Sequence, residues 1–417
     1  MGMKLHRNQK VFRRKHPVLR AMVWTVVCVA VVALGFFGAG MMDKLQSAPP
    51  AAESTLPSDE STTPSTDDPV ATQPTQPPAD RPADTPPQDA PLRGFYLPLS
   101  ALRNSDTLPN TLKEAAKAGF TAVVFDLKDE GGQLHYRFSS QPAQLVNSFS
   151  ADAFTAEELA QVFALMADAG LQPVPRLYAF RDNLGAKALA SARIGLAENP
   201  GWTWYDGDPN NGGRAWLNPY ADEARSYLIG LAQELKEMGA AAILLDGVQF
   251  PTYTGRADFG NSSNTNLTKD KVLTLFVDKM KSALEDCPVL LGCTLQSALG
   301  SDTLPYGGNP VTFAPTMVSP AIFPAALPES ITIGDTVIPN SPDDLQQTVQ
   351  ALVAQVVLRT KVMAEEQRPV ILPLLQAEGY AAAQIQQEID GCTAGGCEQF
   401  ILFHSQGAYD FAALTPQ

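Results

Sequence analysis

Histidine is scarce in this 417-residue chain: there are four, and His6 and His16 fall in a basic N-terminal segment. Only His135 and His404 are left for chemistry, too few for a histidine-rich metal centre. No GxSxG elbow marks a serine nucleophile, so a Ser-His-Asp triad lacks support. GxGxxG and GxxxxGKT loops are missing too, which weakens dinucleotide and P-loop readings. Cysteine is sparse at five residues. Cys28 lies in an N-terminal apolar run. Cys287/Cys293 and Cys392/Cys397 form two close pairs, each able to make a disulfide outside the cytoplasm or to stay as two buried thiols. With no histidine nearby they are a poor zinc signature. The expectation is no metal and no cofactor.

Basic residues are few beyond the first twenty. Residues 1–20 hold seven Lys or Arg and no acid, so the rest carries 23 basic against 44 acidic side chains, a net −21. That excess argues against a nucleic-acid partner. Residues 21–42 follow the basic segment without a single charge, rich in Val, Ala, Gly and Phe. About 20 such residues span a bilayer, and the basic flank should stay inside. We expect a cytoplasmic segment (1–20), a transmembrane signal anchor (21–42) and an extracytoplasmic remainder in a single-pass cell-membrane protein. Cleavage after GFFGAG is the other reading. Residues 43–91 are dominated by Pro, Ala, Thr, Ser and Asp. They hold too little aliphatic surface to offset the entropy of ordering, as a disordered linker would.

Residues 92–417 repeat one pattern: a helix, a glycine stop, an apolar strand and a polar tip. It is plainest at ELKEMGAAAILLDGVQFP (Glu234 to Pro251), and recurs at AKAGFTAVVFD and ADAGLQPVPRL. Uniformly apolar strands suit a parallel sheet covered on both faces. Eight strand-like runs are predicted: Gly94–Leu99, Ala122–Leu127, Gln172–Ala179, Ala241–Gly247, Val289–Gln296, Val311–Val318, Val370–Gln376 and Gln399–His404. Helices are predicted between most of them, over Leu108–Ala118, Thr155–Ala169, Tyr220–Met238, Thr268–Glu285, Pro342–Glu366 and Tyr380–Ile389. Eight units over about 320 residues fit a closed (β/α)₈ TIM barrel better than an open sheet. The segment SALGSDTLPYGGNP (297–310) is too short and broken for a full fifth helix. Long connections follow the strands, as in a barrel that builds its active face at the strands' carboxyl ends.

Polar side chains at those ends are Asp126, Lys128, Asp129, Arg176, Tyr178, Asp182, Asp246, Gln296, Gln376, Glu378 and His404. Strand alternation puts Asp126 with Lys128, and Leu244 with Asp246. If these faces point inward, two carboxylates meet at the mouth, as glycoside hydrolysis requires: one protonates the leaving oxygen, the other attacks or activates water. Each acid could instead be a loop cap or a structural ion-pair partner. The loop Asn199–Tyr220 carries Trp202, Trp204 and Trp216, a platform for sugar rings or packing for the loop itself.

AGFTAVVFDLKDEGG, GLQPVPRLYAFRDN, ENPGWTWYDGDPNNGGRAWLNPY and GAAAILLDGVQFPTY resemble, in order and spacing, a bacterial family of glycoside-hydrolase TIM barrels, distantly α-amylase-like and often membrane-anchored. The likeness extends weakly to MVSPAIFP and LLQAEGY. It implies Asp126, Lys128, Asp129, Trp216, Asn218 and Asp246 as site residues. This chain has Gly247 and Gln249 where the family pattern has Tyr and Arg, and strand five, VLLGCTLQS, lacks an acid. The expectation is a hydrolase of a polysaccharide or cell-wall glycan, with Asp246 as nucleophile or base and Asp126 or Glu378 as acid. Arg176 and Asn218 would position hydroxyls. The rival is a barrel that binds glycan without cleaving it.

Overall fold

The computed structural model describes residues 91–260 and 266–414. The expected N-terminal segment, membrane anchor and almost all of the linker lie outside these residues. Among the described residues no helix is long and apolar enough to cross a membrane.

Eight parallel strands close on themselves: β1 (Arg93–Tyr96), β2 (Ala122–Lys128), β3 (Gln172–Tyr178), β4 (Ile243–Asp246), β5 (Val289–Thr294), β6 (Met317–Ile322), β7 (Leu374–Gln376) and β8 (Phe400–Phe403). Each pairs with its neighbours in the chain. β1 closes the ring, with Gly94 opposite Ala122 on one side and Ile401 on the other. The helices that alternate with these strands are α1 (Leu108–Lys117), α2 (Ala156–Asp168), α3 (Asp222–Met238), α4 (Lys269–Leu284), the short α5 (Leu295–Leu299), α6 (Leu345–Thr360) and α7 (Ala382–Ala394), with further short helices at Leu99–Leu102, Gln141–Val146 and Asn183–Ala188. The architecture is a (β/α)₈ barrel.

Local chemistry sets the element ends. Gly239 stops α3 at φ 107°, a left-handed position that costs glycine nothing, and its N–H donates to the carbonyls of Leu235 and Lys236. Thr155 and Glu158 form a reciprocal capping box at the start of α2. Alternation then sorts the strands. Ala122, Val124, Val174, Leu244, Leu290 and Ile401 fill the barrel interior, while Val123, Phe125, Leu177, Ile243, Leu245 and Leu402 pack under the helices.

Three expectations need correction. The sixth strand is displaced to Met317–Ile322. Pro310 opens a 3₁₀ turn over Pro310–Phe313, and neither it nor Pro315 can donate to a ladder. The seventh run is split: Val370–Ile371 pairs with Met317 and Val318, and Pro373 separates it from β7. The helix expected to reach Glu366 ends at Thr360. Two small sheets on the βα loops carry no repeat signal: Gly195–Leu196 with Asn199–Thr203 and Ala257–Asp258, and the hairpin Ser330–Ile333/Thr336–Pro339. Cys287, Cys293, Cys392 and Cys397 are buried free thiols.

Candidate active site

At the carboxyl ends of the strands, Asp126 on β2, Arg176 on β3 and Asp246 on β4 point inward. Asp126 opposes Arg176 in register, and Tyr178 opposes Asp246. Arg176 donates to Asp126 from Nε at 2.5 Å and from Nη2 at 2.9 Å, and Tyr96 donates its hydroxyl to the same carboxylate at 3.0 Å. Arg176 Nη1 lies 3.8 Å from Asp246 Oδ2. One guanidinium thus bridges two carboxylates at the barrel mouth. The rings of Tyr96, Tyr178 and Phe403 surround the guanidinium, with centroids 5.1–5.8 Å away.

Asp126 is saturated by these contacts. Asp246 is not: its Oδ1 accepts the Gly247 N–H at 2.8 Å, and its side chain remains 31% exposed, facing a cavity of about 260 Å³. Burial pushes the Asp246 carboxyl above its ordinary value, Arg176 pulls it down, and the charges of Asp126 and Glu130 raise it again. Gly292 makes the room. A Cβ there would sit 3.2 Å from Asp246 Cγ, so a larger residue on strand five would crowd the strand-four carboxylate. Tyr178, Tyr306, Phe323 and Phe403 wall the cavity, and Ser319 lines it with a buried hydroxyl that has no hydrogen-bond partner among the described residues.

Of the residues expected at the site, Arg176, Tyr178, Asp246 and Gln249 line this cavity, and Asp126 stands behind Arg176. The others are placed differently. β2 has a register shift between Asp126 and Lys128, so these two do not share a face. Lys128 and Asp182 are fully buried and paired at 3.0 Å, with Lys128 also donating to the Tyr178 carbonyl at 2.5 Å. They brace the end of β3 and do not line this cavity. Asp129 caps its own loop, accepting from Gly131 and Gln133. Asn218 is buried, accepting from Tyr220 N–H and donating to the Phe259 carbonyl. Trp204 and Trp216 form a small buried core with Ile194, their indoles donating to Gly255 and Asp206. Trp202 is 65% exposed on the Asn199–Thr203 strand.

Glu378 accepts from the backbone and hydroxyl of Ser405, outside the cavity lining. Gln376 is tied up by Ala325 N–H and the Glu378 carbonyl. His404 accepts the Gln406 N–H at Nδ1. Sequence reasoning missed Ser319, Tyr306, Phe323 and Phe403. Phe403 follows Ile401 by one inward step, so alternation alone could have found it. Ser319 was hidden by the misplaced sixth strand. Among the described residues no group of His, Cys, Asp and Glu could hold a metal ion.

Residues 94–409 match a family described as "Putative glycosyl hydrolase domain". No curated protein matches. Solved structures similar to this chain include the catalytic domain of β-amylase from Paenibacillus polymyxa, at 11% identity and TM-score 0.47 over 78% of this chain and 94% of that one. The GH20 β-N-acetylhexosaminidase from Streptomyces coelicolor A3(2) gives 12% and 0.43 over 78% and 63%. The glycoside hydrolase domain of PelA from Pseudomonas aeruginosa gives 13% and 0.39 over 76% and 97%. Likeness at this level establishes no activity.

Proposed function

The chain belongs to the glycosyl hydrolase family whose description matches residues 94–409, and from that premise we propose that it hydrolyses glycosidic bonds at the cavity beside Asp246. The observation that carries this reading is Asp246 itself, a partly open carboxylate on an aromatic-walled cavity at the barrel's carboxyl rim, one guanidinium away from a second carboxylate.

Asp246 acts as the proton-transferring group. Its carboxyl is held above the ordinary range by burial, so it keeps a proton further towards neutrality and can give it to a leaving oxygen. This reverses the role expected from sequence, because both oxygens of Asp126 are already engaged by two nitrogens of Arg176. Arg176 and the unpartnered Ser319 hydroxyl are suited to ligand oxygens, and the rings to the apolar faces of a sugar. At about 260 Å³ the cavity is smaller than most ligand pockets and suits one ring-sized group.

The substrate is a polysaccharide or cell-wall glycan. Extracytoplasmic membrane anchoring rests on the sequence of residues 1–42. One observation favours a binding protein instead: Asp126 is saturated, and the cavity lining contains Asp246 as its one carboxylate. Incubating the full chain with a panel of glycans and measuring new reducing ends separates the two. Release that Asp246→Asn abolishes supports hydrolysis; glycan binding with no release supports the binding protein.

A further inference from the structure

We infer that the mouth beside Asp246 accepts a sugar bearing a carboxylate, of the uronic-acid class, which Arg181 and Arg214 hold. This deepens the proposed function and rests on it.

The chain path brings Arg181 to the site. Ala179 N–H donates to the Asp246 carbonyl at 2.7 Å and Phe180 N–H to the Gly247 carbonyl at 3.2 Å, so Arg181 lies alongside the end of β4. Gly247, at φ +61°, leaves its neighbours uncovered. A Cβ there would lie 3.7 Å from Tyr178 Cδ1 and 3.8 Å from Arg181 Cβ, so the edge of an aromatic ring and an aliphatic stem flank the backbone next to Asp246. A pyranose has a matching apolar face.

Beyond this shelf, Arg181 Nη1 and Arg214 Nη1 share Glu130, at 3.0 and 3.5 Å to its two oxygens. Two guanidiniums on one carboxylate leave an excess positive charge, in a chain that is net −21 beyond residue 20. The side chains are 39%, 27% and 45% exposed, so solvent and ligand reach them. A guanidinium fork matches a carboxylate in two-pronged geometry, which a neutral hydroxyl cannot supply. Glu130 lies near enough to Asp246 and Tyr178 for its negative charge to raise both groups slightly, which places the cluster at the cavity's rim.

The test measures binding to the full-length Asp246→Asn protein, which separates recognition from cleavage. The probes are polygalacturonate, alginate and hyaluronan, each beside its carboxyl-reduced neutral form, with dextran sulfate as a control for charge alone. We expect at least one acidic polymer to bind ten-fold or more tighter than its reduced form. Arg181→Gln and Arg214→Gln should each remove most of that difference, and Glu130→Gln should strengthen binding. Circular dichroism checks that each variant folds.

Equal binding of acidic and reduced forms, no binding to any acidic polymer, arginine variants that fold without effect, or equal arginine-dependent capture of dextran sulfate each overturns the inference. Cleavage of neutral glycans unaffected by the arginine variants would sink it and leave the hydrolase reading standing. Arginine-dependent binding of an acidic polymer with no new reducing ends from the unmutated protein would do the reverse.

Discussion

Asp126 holds Arg176 with both carboxylate oxygens, at 2.5 and 2.9 Å, and so aims the guanidinium's remaining nitrogen towards Asp246. Arg176 is 8% exposed and Asp126 16%, so removing the acid leaves a nearly buried cation without its main partner. Asp126→Ala should lower the unfolding free energy by about 3–5 kcal/mol, measured by denaturant titration. A loss under about 1 kcal/mol would mean that the pair is dispensable.

Asp126→Asn tests the electrostatics. It removes a negative charge that raises the Asp246 carboxyl and leaves Arg176 to lower it. If protonated Asp246 is required, the native rate is high below its raised pKa and falls as pH rises through it. In Asp126→Asn that falling limb should move to lower pH. A pH–rate profile with the limb unmoved would separate the two groups.

Asp246→Asn should cost at least about a hundred-fold in reducing-end release, the lower bound for losing a general acid, while leaving the melting curve close to native.

Lys128 and Asp182 should behave as a structural pair. Lys128→Met leaves Asp182 charged and buried and should cost about 3–5 kcal/mol, whereas the double change Lys128→Met/Asp182→Leu should recover much of that. Equilibrium unfolding of the two singles and the double completes the cycle. Strictly additive losses would mean that the two side chains are not coupled.

Glu388 offers a pH dependence away from the site. It is fully buried on α7, and burial raises its carboxyl well above the ordinary value near 4.5. The folded state therefore gains from the protonated form. That stability is complete below the ordinary carboxyl value and is lost as pH rises through the raised one. Glu388→Gln keeps an acceptor for the Gln376 N–H, now at 2.8 Å, and cannot ionise. Its melting temperature relative to native should rise with increasing pH, and a difference that is flat with pH would rule this out.

Much of the barrel was legible before any coordinates. A strand buried on both faces must be apolar throughout, and a helix that ends on glycine announces itself, so AAAILLDG already locates β4 and the carboxylate at its tip. Alternation likewise sends Leu244 and Asp246 inward together. The sequence failed where a local irregularity changed the phase. A register shift after Asp126 turned Lys128 from a site residue into a buried brace, and prolines moved the sixth strand past the point that would have revealed Ser319.

By itself, then, the sequence determined the repeat, the strand-tip carboxylates and the acidic balance, because these are set by short-range periodicity and composition. Only the closed ring decided which acids are occupied and which is open. Asp126 and Asp246 look alike in the chain, yet one is saturated by Arg176 and Tyr96 while the other faces a cavity that Gly292 keeps clear. That difference depends on which side chains meet across strands 30 or more residues apart, and no local pattern encodes it.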